Sequence, residues 1–124
     1  MGVKELLKGT IEGAGEISES LIGAVTGVVK EGTADVGEIF GAVIDLGKEG
    51  VVDNVTDAVK GTFIGAVNAL KESGKTTEEA IAEVSAKATE AIGKVSETGI
   101  GEIGDSAKKG IEEAVGILKK PFEK

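Results

Sequence analysis

The feature that most constrains this chain is an apolar pattern that repeats every eleven residues. Counted from Val3, each row of eleven is mostly apolar at its first, fourth, fifth, eighth and ninth positions, and most charged residues lie between them. Eleven residues make three turns of an α-helix, so these five positions form one apolar face about 130° wide. The repeat therefore predicts long amphipathic helices with a hendecad (eleven-residue) pattern.

The repeat occurs in two blocks within a single all-helical unit, residues 1–124. The first block covers 3–46 and the second covers 51–120, and their registers differ by one residue, so the slip falls at 47–50. A register slip between two glycines marks a place where a helix bends or ends. The predicted fold class is all-α, with hendecad helices that form a coiled coil or a helical barrel.

A second bend is expected at 73–77. Gly74 can end a helix, and Thr76 with Glu79 three residues later has the spacing of a capping box. The apolar repeat keeps its phase across this segment, so one continuous helix is the alternative. The resulting prediction is a set of helices over about 3–46, 51–72 and 77–119, which could also run together.

The apolar residues at the repeat positions are expected to be buried together, and we call them the assembly stripe. They are Val3, Leu6, Leu7, Ile11, Ile17, Leu21, Ile22, Val25, Val28, Val29, Val36, Ile39, Phe40, Val43, Ile44, Val59, Leu70, Ile81, Val84, Ile92, Val95 and Ile103. Each helical glycine costs about 1 kcal/mol relative to alanine. Isolated helices with so many glycines are unstable, so the stripe must be buried against a partner or a surface.

Eight glycines form four Gly-x-x-x-Gly spacings, most of them beside or behind the apolar face. They are Gly9, Gly13, Gly23, Gly27, Gly37, Gly41, Gly61 and Gly65. Small residues let two helix backbones approach closely, so we predict that these are close-packing glycines. The alternative is that they tolerate solvent or weaken a helix that has to melt.

Composition excludes several classes of function. The chain has no Cys, no His and no Arg, and its 14 positive charges are all Lys. Thiol chemistry, imidazole ligands and bidentate phosphate recognition are therefore absent. A net charge of −8 disfavours nucleic acid. Acidic clusters such as Glu31, Asp35 and Glu38 are interpreted as solvated helix faces, so we predict no catalytic, cofactor or metal site.

Two glycine patterns resemble nucleotide-binding loops. Gly74-Lys75-Thr76 ends a relaxed phosphate-loop pattern, and 99–104 fits a dinucleotide-binding pattern. Both motifs work between a strand and a helix, and here the apolar helical repeat precedes them. The first is therefore interpreted as a turn between helices and the second as part of a helix.

The location expected from sequence is cytoplasmic, with peripheral membrane association as an alternative. The longest uncharged runs are ten residues, whereas a membrane-spanning helix needs about 20. The first ten residues also lack the apolar segment and cleavage site of a signal peptide.

Three segments resemble known eleven-residue repeats: IGAVTGVV at 22–29, VVKEGT at 28–33 and LGKEGVVDNVTDAV at 46–59. They look like the repeats of synucleins, and also of apolipoproteins and late-embryogenesis proteins. That resemblance implies helices that form on lipid or on drying. The regularity of the stripe also resembles that of right-handed hendecad coiled coils.

These observations favour a non-enzymatic, homo-oligomeric protein with a structural or scaffolding role. In the first block, lysines lie on one flank of the stripe and acids on the back and opposite flank, as in helices that pair with copies of themselves. One alternative is a protein that reversibly coats a lipid or another apolar surface. Another is a monomeric helical bundle that acts as a binding module.

Overall fold

The computed structural model describes residues 3–12, 17–32, 35–49, 54–97 and 101–119. In these ranges the chain forms six α-helices and no strand, which confirms the all-α prediction. The helices are α1 Val3–Glu12, α2 Ile17–Glu31, α3 Val36–Lys48, α4 Val55–Glu72, α5 Thr77–Glu97 and α6 Gly101–Lys119.

The helices are arranged in two layers. One layer, which we call the even layer, contains α2, α4 and α6, with α4 in the middle. The other, the odd layer, contains α1, α3 and α5, with α3 in the middle. Each odd helix also packs on the even helix that follows it in sequence, and α4 packs on α5. The chain is therefore three helix pairs placed side by side, with the hydrophobic core between the layers.

The single helix predicted over 3–46 is wrong, because this stretch contains α1, α2 and α3. Gly32 has a φ of 73°, a left-handed conformation that ends α2. Asp35 then begins α3 as its N-cap, with extended backbone. Residues 13–16 and 33–34 lie outside the described residues. Hendecad periodicity specifies which face is apolar, and short helices that fold back satisfy it as well as one long helix does.

The predicted helix over 77–119 is also divided. α5 ends at Glu97, α6 begins at Gly101, and the two helices pack against each other. Residues 98–100 lie outside the described residues. The apolar repeat continues in phase from one helix to the next, which is why the sequence pattern did not reveal the division.

The break expected at 47–50 is observed where α3 ends. Lys48 is the last residue of α3, and Glu49 is its C-cap, with an N–H that donates to Asp45 O. Gly50 lies outside the described residues. Asn54 then caps α4, since its Oδ1 accepts a hydrogen bond of 3.1 Å from the backbone N–H of Asp57.

The break expected at 73–77 is also observed. Gly74 has a φ of 107° and follows the end of α4. The capping box is present, because Thr76 N–H donates to Glu79 Oε1 at 3.0 Å and Glu79 N–H donates to Thr76 Oγ1 at 3.1 Å. The local sequence therefore specifies both the end of α4 and the start of α5.

The core between the layers is built mainly from Val, Ile, Leu and Ala, with two phenylalanines. Phe40 on α3 and Phe63 on α4 are fully buried and meet edge to face, with ring centroids 6.4 Å apart at 67°. α3 and α4 are the middle helices of their layers, and each has neighbours in both layers. These two rings therefore join the central helices of the two layers.

α2 and α4 approach each other at backbone distance. A Cβ atom at Gly65 would lie 2.7 Å from Ile22 O and 3.0 Å from Val25 Cβ, so only glycine fits there. Thr26 Oγ1 lies 3.1 Å from Gly65 O and 2.7 Å from Ile22 O, within hydrogen-bonding distance of both. The exposed ion pair Lys30–Glu72, at 2.7 Å, joins the same two helices.

α4 and α6 meet in the same way through Gly110. A Cβ atom there would lie 2.5 Å from Thr56 O. Thr56 Oγ1 donates to Ser106 O at 3.0 Å, and Lys60 pairs with Glu113 at 3.6 Å. The even layer is thus held by close backbone contacts, each made possible by a glycine.

Candidate functional site

A groove of about 550 Å³ runs between α3 and α5 in the odd layer. Its lining includes Gly37 and Gly41, one turn apart on α3, together with the buried Ile44 and Ala91. A Cβ atom at Gly41 would meet no atom within 4 Å. The missing side chain therefore leaves the α3 backbone open to an approaching molecule.

The two walls of the groove carry opposite net charge. The charged residues are Asp35, Glu38, Asp45 and Lys48 on the α3 wall and Lys87, Glu90 and Lys94 on the α5 wall. The α3 wall therefore has three acids and one lysine, a net −2, and the α5 wall has two lysines and one acid, a net +1. Complementary walls of this kind are typical of surfaces that select a partner by charge.

The start of α3 positions one end of the groove. Asp35 Oδ1 accepts a hydrogen bond of 2.8 Å from the backbone N–H of Glu38, which satisfies an amide that the helix leaves unpaired. A Cβ atom at Gly37 would lie 3.3 Å from Asp35 Oδ1 and 3.9 Å from Lys87 Cδ. The aliphatic stem of Lys87 thus lies beside the first turn of α3.

The described residues offer little acid–base or metal chemistry. Where side chains are described, Thr62 is the buried polar residue, and its hydroxyl donates to Ala58 O at 2.8 Å. Glu31, Asp35 and Glu38 are exposed, as expected for a solvated face. No group of three or more Asp or Glu among the described residues is placed to hold a metal ion.

Most of the assembly stripe lies in the chain's own core. Its buried members are Leu7, Leu21, Val25, Val28, Val36, Ile39, Phe40, Val43, Ile44, Val59, Ile81, Val84 and Ile92, and its half-buried members are Leu6, Ile22, Val29 and Leu70. The side chains of Val3, Ile11, Ile17, Val95 and Ile103 lie outside the described part. The structure thus brings the described stripe together within one chain.

The eight glycines singled out from sequence have different environments. Gly65 makes the close α2–α4 contact, Gly61 is buried, and Gly37 and Gly41 line the groove. A Cβ atom at Gly9, Gly23 or Gly27 would meet no atom within 4 Å. Gly13 lies outside the described residues. Close packing within the chain therefore explains only some of these glycines.

Sequence reasoning missed Gly110, the glycine of the α4–α6 contact. The signal that could have found it is a series of small residues spaced three or four apart on α6, namely Gly104, Ala107, Gly110 and Ala114, all of them buried. Such a series is typical of a helix face that meets another backbone closely.

The α5 wall of the groove was missed as well. Lys87 and Lys94 are seven residues apart, so they lie on one helix face two turns from each other. That spacing was visible in the sequence. The pairing of α5 with α3 was not, because it is a contact between distant parts of the chain.

The two nucleotide-like patterns have structural roles where they are described. Gly74, Lys75 and Thr76 form the turn between α4 and α5, and Lys75 pairs with Glu83 at 3.3 Å. Gly104 is a buried residue within α6, while residues 99–100 lie outside the described part. The interpretation of Gly74–Thr76 as a turn between helices is confirmed.

Comparisons with known proteins gave no matching family model, no matching curated protein and no matching solved structure. Within the described ranges, no helix combines the length and the apolar character needed to span a membrane. Function is therefore inferred from the geometry of the α3–α5 groove.

Proposed function

We propose that this protein is a non-enzymatic structural protein that assembles with copies of itself through the α3–α5 groove. The observation that carries the proposal is a groove that is lined by two glycines of α3 and has walls of opposite net charge. Glycines on a helix surface let another helix approach closely. Charges of both signs, fixed on two helices, favour a protein surface over a small apolar ligand.

The proposal places self-assembly on the outer face of α3 and α5 rather than on the assembly stripe. Stripe residues such as Val25, Ile39 and Val43 are fully buried against the chain's own helices. A coiled coil between chains through those residues would first require the two layers to separate. Assembly through the groove leaves the core of each copy intact.

A second candidate function is reversible coating of an apolar surface. It is favoured by the arrangement of the core, because each of the six helices contributes buried apolar residues to it, and separation of the layers would present these residues to a lipid interface. Under this function the closed bundle is the form in which the stripe is buried from water until a surface is bound.

The test is the absolute mass of the protein in solution, measured by light scattering behind a sizing column over a range of concentrations. The wild-type protein should form species of two or more 12.5 kDa chains. Gly41→Leu adds a side chain to the groove at a position where a Cβ atom would meet no atom of its own chain within 4 Å, so this variant should be monomeric. Gly93→Leu is the matched control, because Gly93 is an exposed, open helical position outside the groove.

Three outcomes decide between the functions. Assembly that Gly41→Leu abolishes and Gly93→Leu preserves supports the groove. A wild-type protein that is monomeric at every concentration overturns self-assembly. If that monomer then co-floats with phosphatidylcholine liposomes, the coating function is supported instead.

A further inference from the structure

We propose that two copies dock groove to groove about a two-fold axis that runs along the groove, so that α3 of each copy lies on α5 of the other. This inference rests on the proposed function and names the partner surface as a second copy of the same groove. Three features favour this arrangement: the charges of the walls, the position of Lys87 beside the first turn of α3, and the open position at Gly41.

The wall charges select the direction of the axis. A two-fold axis along the groove exchanges the walls, so each α3 wall of net −2 faces an α5 wall of net +1. An axis across the groove would instead place α3 on α3, acid against acid. Like charges brought face to face are strongly unfavourable, so the axis along the groove is favoured.

The register of the docked pair follows from contacts within one chain. The stem of Lys87 lies beside Gly37, so Lys87 is level with the first turn of α3. Since the groove extends from there to Lys94 on α5 and to Lys48 on α3, the two helices run in the same direction along it. Rotation about an axis along the groove leaves the position of each residue along the groove unchanged.

The docked walls therefore pair acids with lysines at two levels. Glu38 of one copy meets Lys87 of the second copy near the start of the groove, and Asp45 meets Lys94 of the second copy two turns later. The reverse pairs form by symmetry. Glu90 lies between these two levels. In the docked pair it faces Gly41 of the second copy, which has no side chain to oppose it.

Lys48 extends one turn beyond Asp45, at the end of the groove. It reduces the negative charge of the α3 wall without reversing its sign. The open position at Gly41 lies midway along the groove. The groove is thus self-complementary, which is the requirement for a two-fold interface.

The test is an exchange of charge between the walls. One variant carries Glu38→Lys with Asp45→Lys, and the other carries Lys87→Glu with Lys94→Glu. Alone, each variant places like charges face to face in both symmetric contacts, so its dissociation constant should rise about tenfold or more. Mixed in equal amounts, the two variants again oppose unlike charges in both contacts, and the mass of the mixture should return to that of the wild type.

The control reverses two exposed lysines on another helix. Lys108→Glu with Lys109→Glu on α6 changes the net charge as much as the α5 variant does and should leave the mass unchanged. Circular dichroism and thermal unfolding of every variant verify that the fold is retained, since each groove variant also brings like charges closer within its own chain.

The outcomes separate this inference from the proposed function. Loss of assembly in each variant, with recovery in the mixture, supports the exchanged two-fold arrangement. Loss without recovery, or an assembled wild type whose mass the folded variants do not change, overturns the arrangement and leaves self-assembly standing. A wild type that is monomeric at every concentration overturns both.

Discussion

At the scale of single residues, the many helical glycines separate into two kinds. At Gly65 and Gly110 a Cβ atom would lie within 3 Å of a carbonyl oxygen on a neighbouring helix, so glycine is required by close backbone packing. At Gly23, Gly27 and Gly41 a Cβ atom would meet nothing within 4 Å. Sequence spacing alone does not distinguish these two kinds, because the difference lies in the neighbouring helix.

The distinction predicts opposite effects for two Gly→Ala substitutions. Gly65→Ala should lower the free energy of unfolding by about 1–3 kcal/mol, because its Cβ atom would force α2 and α4 apart at Ile22 O. Gly27→Ala should raise it by about 0.5–1 kcal/mol, because alanine favours the helix and nothing obstructs its methyl group. Urea denaturation followed by circular dichroism measures both, and equal effects at the two sites would contradict the α2–α4 contact.

At the scale of elements, the start of α5 shows how local chemistry sets a helix boundary. Thr76 and Glu79 satisfy each other's backbone amides in the capping box. The hydrogen bonds from the Thr76 backbone and side chain, with a smaller contribution from the charge of Lys75, hold the pKa of Glu79 below its usual value of 4.5. The carboxylate is therefore more stable in the folded chain than in the unfolded one.

This lowered pKa predicts a pH dependence of stability. A carboxyl group whose pKa is lower in the folded state stabilises the fold above its unfolded pKa and loses that contribution as the pH falls from 4.5 through the lowered folded value. Glu79→Gln should therefore be less stable than the wild type at pH 7, and the difference should shrink in acid. Thermal unfolding of both proteins at pH 7 and at pH 3 measures this, and a difference that is independent of pH would show that the charge of Glu79 contributes nothing.

At the scale of the whole molecule, the two layers depend on each other through the core between them. Phe40 and Phe63 are the largest fully buried side chains, and they join the central helix of each layer. The even layer has additional backbone contacts through Gly65 and Gly110. Loss of a central ring should therefore weaken the contact between layers more than the contacts within the even layer.

Phe40→Ala should lower the free energy of unfolding by about 3–5 kcal/mol, the usual cost of emptying the site of a buried aromatic ring. That is a large part of the roughly 5–15 kcal/mol that stabilises a typical domain. Ile117→Ala is the control, since Ile117 is 43% exposed and its loss should change stability by only about 0.5 kcal/mol. Chemical denaturation measures both changes. Equal losses of unfolding free energy in the two variants would contradict the burial of Phe40 in the core.

The sequence by itself determined the helical class, the inward face of α2, α3 and α5, and two of the helix boundaries. The apolar repeat specifies a helical face because its period matches that of the α-helix. Gly74 and the Thr76–Glu79 pair specify a boundary because a left-handed glycine and a capping box act within a few residues. These signals are local, so they can be read without knowledge of the fold.

Only the tertiary structure decided what covers the stripe and where the groove lies. A hendecad stripe is satisfied equally by a second chain, by lipid or by the same chain folded back, because burial of apolar surface is not directional. The turn at Gly32 and the division between α5 and α6 selected the last of these. The groove exists because α3 and α5, distant in sequence, come to lie side by side. Contacts of that range depend on how all six helices pack together, and no local pattern in the chain specifies them.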